Sequence, residues 1–181
     1  MSQQNSTIRC RICDRPLKSE ESIRRGAGRV CLSHEPPQWI NNYPSDRVKK
    51  MVIDAYGSIR SSGILLREGQ QHDALYLAHL GVEKMLKALK VDTSGKYQHV
   101  HVLPDILKEM PFYEDAPEWI KDFLADLHPF QTAGRYPLEK EKLLRSTDPE
   151  FIKNVTSNSE KVMLWLSNQL SLKPPEDTSK N

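Results

Sequence analysis

The stretch His72–Val91, HDALYLAHLGVEKMLKALKV, constrains the fold more than any other part of the chain. It holds no proline and a single glycine, and most of its residues favour helix. At about 100° per residue, Leu75, Ala78, Val82, Met85, Leu86 and Leu89 share one arc, a stripe that must face a core. Ala74 and Gly81 flank that arc and leave room for a second helix. His72, His79, Glu83 and Lys90 line another side, with Tyr76 and Lys87 beside them. A helix of this kind suits the centre of a bundle with a polar cleft. The alternative is a solvated face braced by helical charge pairs such as Glu83–Lys87.

Four further helices can be drawn around it. Ser45 or Asp46 can cap a helix from Arg47 to about Glu68, whose apolar positions include Val48, Val52, Ala55, Ile59 and Leu66. Gly69 ends it. The run from Asp92 to Gly95 breaks the second helix, and Pro104 fits the first turn of a third that ends near Met110. Pro117 opens a fourth, with Trp119, Ile120, Phe123, Leu124 and Leu127 on its apolar face. HPFQTAGRYPLEKEK reads as irregular. Asp148 and Pro149 then start the last helix by cap and N1 proline. No strand pattern follows residue 46. The expected architecture is mainly α, an up-and-down antiparallel bundle of about five helices over 47–172, with a disordered tail at 173–181.

The chain before the bundle has a different character. All three cysteines fall in CRICDRPLKSEESIRRGAGRVCLSH, giving C-x2-C-x17-C-x2-H through Cys10, Cys13, Cys31 and His34. This is ligand spacing for a tetrahedral structural Zn2+ site, and so short a segment needs such an ion in place of a core. Buried free thiols, or a redox Cys10/Cys13 pair, are the alternatives. The wording C-x-x-C-D-R-P-L, with its glycine-rich approach to Cys31, also resembles a family of small bacterial zinc-binding modules of no settled function. Asp14 stands where that family has glycine. A zinc-binding module at 1–36, a proline-marked linker at 37–46 and the bundle form the expected domain order. Trp39, Ile40 and Tyr43 are expected to pack onto the bundle.

Charge separates the parts. Residues 1–45 carry seven Lys or Arg against four acids, whereas the remainder carries 19 bases against 20 acids. The basic excess is therefore N-terminal, a weak pointer to a polyanion there. No apolar run approaches the ~20 residues that span a bilayer, and no secretory signal opens the sequence. The expected setting is cytoplasmic, without a membrane.

The bundle region resembles the HEPN domain family. The resemblance rests on the helix containing Ala78, Glu83, Lys84, Leu86, Lys87, Ala88 and Leu89, on His101-Val102-Leu103 ahead of a short helix, and on Arg135-Tyr136-Pro137 before a long closing helix. It implies one of two roles. Some members are metal-independent endoribonucleases, toxins or defence effectors among them, with an R-x4–6-H motif that meets its copy across a dimer interface. Others carry R-Y-P and are associated with binding a nucleotide or another polyanion. No histidine follows Arg135 or Arg145, and the only R-x4-H within the bundle region, Arg67 to His72, lies in the wrong place for the family.

The resemblance therefore implies a binding module for a nucleotide or RNA, and a homodimer. A defence or toxin–antitoxin setting and a partner encoded by a neighbouring gene remain open. No residue is assigned as catalytic. A nuclease or a dimerising adaptor is the alternative. The candidate ligand-binding residues are Arg135, Tyr136, His79, Glu83, Lys84, His101 and His128. Arg135 would hold a phosphate and Tyr136 would stack on a base. The plainer roles are an Arg135–Glu83 pair, a packed Tyr136-Pro137 loop, a His101 cap on the third helix, and His128 ending the fourth.

Overall fold

The computed structural model describes residues 19–20, 36–96, 99–131 and 137–170. The expectations for Cys10, Cys13, Cys31, His34, Arg135, Tyr136 and the 173–181 tail lie outside these residues. Among the described residues there are six α-helices, two short 3-10 helices and no strand: a helical bundle. The α-helices are α1 (Asp46–Arg67), α2 (Gln71–Ser94), α3 (Leu103–Lys108), α4 (Glu118–Leu127), α5 (Pro137–Ser146) and α6 (Pro149–Ser167).

Helix α2 is the axis of the bundle, packing against α1, α3, α4, α6 and the 3-10 turn His128–Gln131. Its apolar stripe accounts for this: Leu75, Ala78, Val82, Met85, Leu86 and Leu89 are all fully buried. Each of the large members contributes roughly 1.5–3 kcal/mol by leaving water. Ser45 caps α1 by accepting from the Val48 amide at 3.4 Å. A turn through Gly69, at φ 77°, sends the chain back antiparallel as α2. The two helices approach closely at Gly81. A Cβ there would lie 2.5 Å from Ile59 Cδ1 and 3.0 Å from the Ala55 carbonyl oxygen. Helix α6 starts at the Asp148 cap, whose carboxylate accepts from the Glu150 amide at 2.9 Å. A buried Tyr56–Ser167 hydroxyl pair at 2.9 Å ties its far end to α1.

Two boundaries differ from the sequence reading. The stretch read as irregular contains the turn His128–Gln131 and the first six residues of α5. Proline at a helix's first position costs no hydrogen bond, so Pro137 opens this helix instead of preventing it. Leu143 and Leu144 then settle α5 partly onto the core. Helix α2 also runs past Asp92 to Ser94, ending at Gly95 in the left-handed region. Tyr43 donates its hydroxyl proton to Asp92, and the Thr93 and Ser94 hydroxyls fold back onto the Leu89 and Lys90 carbonyls. The preceding strap, with buried Ile40 and the Trp39–Tyr43 ring contact, lies along this end of the bundle.

Candidate functional site

The polar side of α2 is largely buried. Glu83 and Lys87 lie one turn apart, so their side chains meet, with Lys87 Nζ donating to Glu83 Oε1 at 2.8 Å. Both are almost fully buried, at 8% and 3% side-chain exposure, so this is an interior ion pair and not the solvated helical pair of the alternative reading. A carboxylate withdrawn from water needs more than one partner. The second comes from the loop ahead of α3. His101 Nδ1 donates to the same Glu83 oxygen at 2.8 Å, and Lys87 Nζ lies 3.4 Å from that nitrogen. Buried Leu103, Ile106 and Leu107 anchor α3 to the core and so fix His101 against α2.

His79 stands behind this cluster, its Nδ1 3.6 Å from Glu83 Oε2. Burial pushes its pKa down to about 4, against the opposing pull of Glu83, so the ring is neutral near pH 7. His128 closes α4 and opens the 3-10 turn, its ring 5.9 Å from that of His79. His79 Nε2 and His128 Nδ1 are buried with no hydrogen-bond partner among the described residues. The turn is held by Phe130, which lies edge-on to buried His72 at 6.4 Å and stacks on Phe151 at 6.4 Å. Just beyond residues 132–136, Lys140 pairs with Asp73 at 3.0 Å and holds that carboxyl below its ordinary pKa. Both flanks of the Arg135-Tyr136 segment thus rest on the first half of α2.

Lys84 points elsewhere, toward α1, where its Nζ donates to Ser58 Oγ at 3.2 Å. It belongs to the wall of an open cleft of about 540 Å³ between α1 and α2. Arg47, Lys50, Met51 and Asp54 form the α1 side; Leu80, Glu83, Lys84 and Lys87 form the α2 side; His101 closes one end. The structure therefore brings Glu83, Lys84 and His101 to one cleft and sets His79 and His128 in the protein layer behind Glu83. Sequence reasoning missed Arg47, Lys50 and Asp54. Their spacing of three and four places them on one face of α1, but only the antiparallel turn at Gly69 aims that face at Lys84. Of the other stripe residues, His72 is buried beside Phe130, and Lys90 pairs with Glu109 at 3.0 Å.

Among the described residues, no three His, Cys, Asp or Glu side chains converge as a metal site requires, and no helix is long and apolar enough to cross a membrane. What remains is a helical bundle with a cation-rimmed cleft backed by a buried carboxylate–histidine pair. The HEPN domain model matches residues 49–169, and the chain belongs to the HEPN family. A family of unknown function (DUF6011) matches residues 4–35. No curated protein and no solved structure gives a match. Membership of the HEPN family points to a nucleotide- or RNA-related, or nuclease-like, role.

Proposed function

We propose that the bundle binds a nucleotide or an RNA phosphate in the α1–α2 cleft and does not cut RNA. The observation that carries this reading is the lining of the cleft. Arg47, Lys50 and Lys84 rim a slot whose apolar surfaces are Met51 and Leu80. Such a volume accommodates a small molecule, with an apolar face for a base and cations for phosphate oxygens. Glu83 holds His101 at the cleft's end, and His79 and His128 back that wall. Arg135 and Tyr136 would add a phosphate fork and a stacking ring from a segment whose flanks lie on α2. The absence of a histidine after Arg135 or Arg145 in the sequence supports binding without cleavage.

A nuclease reading draws on one specific observation: a half-exposed histidine oriented by a buried carboxylate is an arrangement that can move a proton. Incubating the protein with end-labelled RNA separates the two readings. The binding reading expects intact RNA, and cleavage that disappears in Arg135→Ala or His101→Ala overturns it. A thermal-shift series of nucleotides and short RNAs tests the binding itself, because a ligand selective for the folded state must raise Tm.

The N-terminal segment is proposed to hold one structural Zn2+ through Cys10, Cys13, Cys31 and His34, on the strength of the ligand spacing. Its basic excess would add a second contact to a polyanion. A cytoplasmic homodimer completes the proposal.

A further inference from the structure

Building on the phosphate-binding reading of the cleft, we infer that Asp54 sets which nucleotide the cleft takes: its carboxylate accepts the paired N–H donors of a guanine base.

The inference starts from the two carboxylates on the lining, Glu83 and Asp54. Glu83 is already satisfied, by Lys87 at 2.8 Å and by His101 at 2.8 Å. Asp54 is not. Lys50 and Ser58 stand one turn before and one turn after it on α1, the spacing at which helical side chains meet. The Ser58 hydroxyl donates to the Asp54 main-chain oxygen at 3.1 Å, not to the carboxylate. Lys84 faces it from α2: the helices are antiparallel and Gly81 meets Ala55 and Ile59, which sets Lys84 level with Asp54. Yet Lys84 Nζ donates to Ser58 Oγ at 3.2 Å. Among the described residues the Asp54 carboxylate has no ion-pair or hydrogen-bond partner, although Lys50, Ser58 and Lys84 all lie beside it.

Position decides what a ligand brings to that carboxylate. The same register puts Leu80 level with Ser58, and Met51 precedes Asp54 by about one turn. Asp54 therefore lies between the two apolar side chains on which a base would rest. A carboxylate is an acceptor only, and it repels a phosphate, so it favours a nucleotide only through donors on the ligand. A base edge laid over it removes it from water, which costs free energy unless donors replace the water. Among the four ribonucleoside bases, guanine alone presents two adjacent donors, N1–H and the N2 amine, spaced to meet both carboxylate oxygens. Adenine and cytosine each set a ring acceptor beside a single amine, and the uracil N3–H lies between two carbonyls. Each of these turns an acceptor toward Asp54.

Calorimetric titration of the full chain with guanosine, inosine, adenosine and xanthosine 5′-monophosphates, against wild type, Asp54→Asn and Lys84→Ala, tests the assignment. Wild type is expected to bind the guanosine monophosphate at least about tenfold more tightly than the adenosine one, with inosine, which lacks the N2 amine, in between. Asn offers one acceptor and one donor, which match the N1–H and C2 carbonyl of xanthine. Asp54→Asn is therefore expected to lose the guanine preference and to favour xanthosine monophosphate. A merely structural role would change all four affinities alike. Asp54 is exposed on α1, so the substitution leaves the core untouched. Equal affinity of wild type for the guanosine and adenosine monophosphates, or a guanine preference unchanged in Asp54→Asn, overturns the assignment; binding that still falls in Lys84→Ala then leaves the phosphate-binding reading standing. No heat from any probe overturns that reading and the inference with it.

Discussion

Glu83 Oε1 accepts from His101 Nδ1 at 2.8 Å across the boundary between the central helix and the loop that precedes α3. That contact joins a buried carboxylate to a half-exposed imidazole, and so connects the interior of the bundle to its cleft.

Removing the carboxylate takes from the buried Lys87 ammonium the acceptor it meets at 2.8 Å. Glu83→Ala is expected to cost about 3–5 kcal/mol in urea denaturation. Replacing both partners, as Glu83→Leu with Lys87→Met, is expected to recover most of that loss. A single-variant cost below about 1 kcal/mol would show that water reaches the pair.

Stability should fall in mild acid because of His79. The unfolded ring takes up a proton as pH drops through about 6.5, while the folded ring stays neutral down to about 4. Between those values the unfolded chain binds the extra proton, so the folded state loses roughly 3 kcal/mol across the window. Burial also lowers the pKa of His72, which acts in the same direction. Asp73, lowered from 3.8 by Lys140, contributes its loss only at more acidic pH. In His79→Gln the stability curve between pH 6.5 and 4 is expected to flatten measurably. Parallel curves for the two proteins would refute the assignment.

The α1–α2 contact predicts opposite signs for two glycines. Gly81→Ala drives a methyl into Ile59 and toward the Ala55 carbonyl, and is expected to destabilise by about 1–3 kcal/mol. At Gly57 an added Cβ meets nothing within 4 Å, and Ala is the better helix former. Gly57→Ala is therefore expected to stabilise by about 0.5–1 kcal/mol. Chemical denaturation of both variants checks the pair, and equal effects would contradict the packing described.

For the N-terminal segment, protein purified without chelator is expected to carry about one zinc per chain. Cys13→Ser is expected to reduce that to less than about half. Metal-free wild-type protein that keeps its far-ultraviolet and hydrogen-exchange signatures in residues 10–34 would argue against a structural ion.

The α2 core stripe could be read from sequence because helical periodicity is local: Leu75, Val82, Leu86 and Leu89 declare their face without reference to anything distant. The Glu83–Lys87 pairing was equally local. Its burial was not, since that depends on His101 arriving from another element and on the packing around α2. Arg47 and Lys50 escaped notice for the same reason; on α1 alone they resemble any solvated cation. Helix α5 was obscured by the reputation of proline as a breaker, when position decides whether proline opens or ends a helix.

The central claim is that the α1–α2 cleft holds a phosphate-bearing ligand. Calorimetric titration of the ribonucleoside 5′-monophosphates against wild-type protein and Lys50→Ala/Lys84→Ala, both verified as folded by circular dichroism, tests it most directly. The account predicts saturable binding to wild type and at least a tenfold loss in the double variant, equivalent to about 1.4 kcal/mol. Unchanged affinity in the variant, or no binding by wild type, would contradict it.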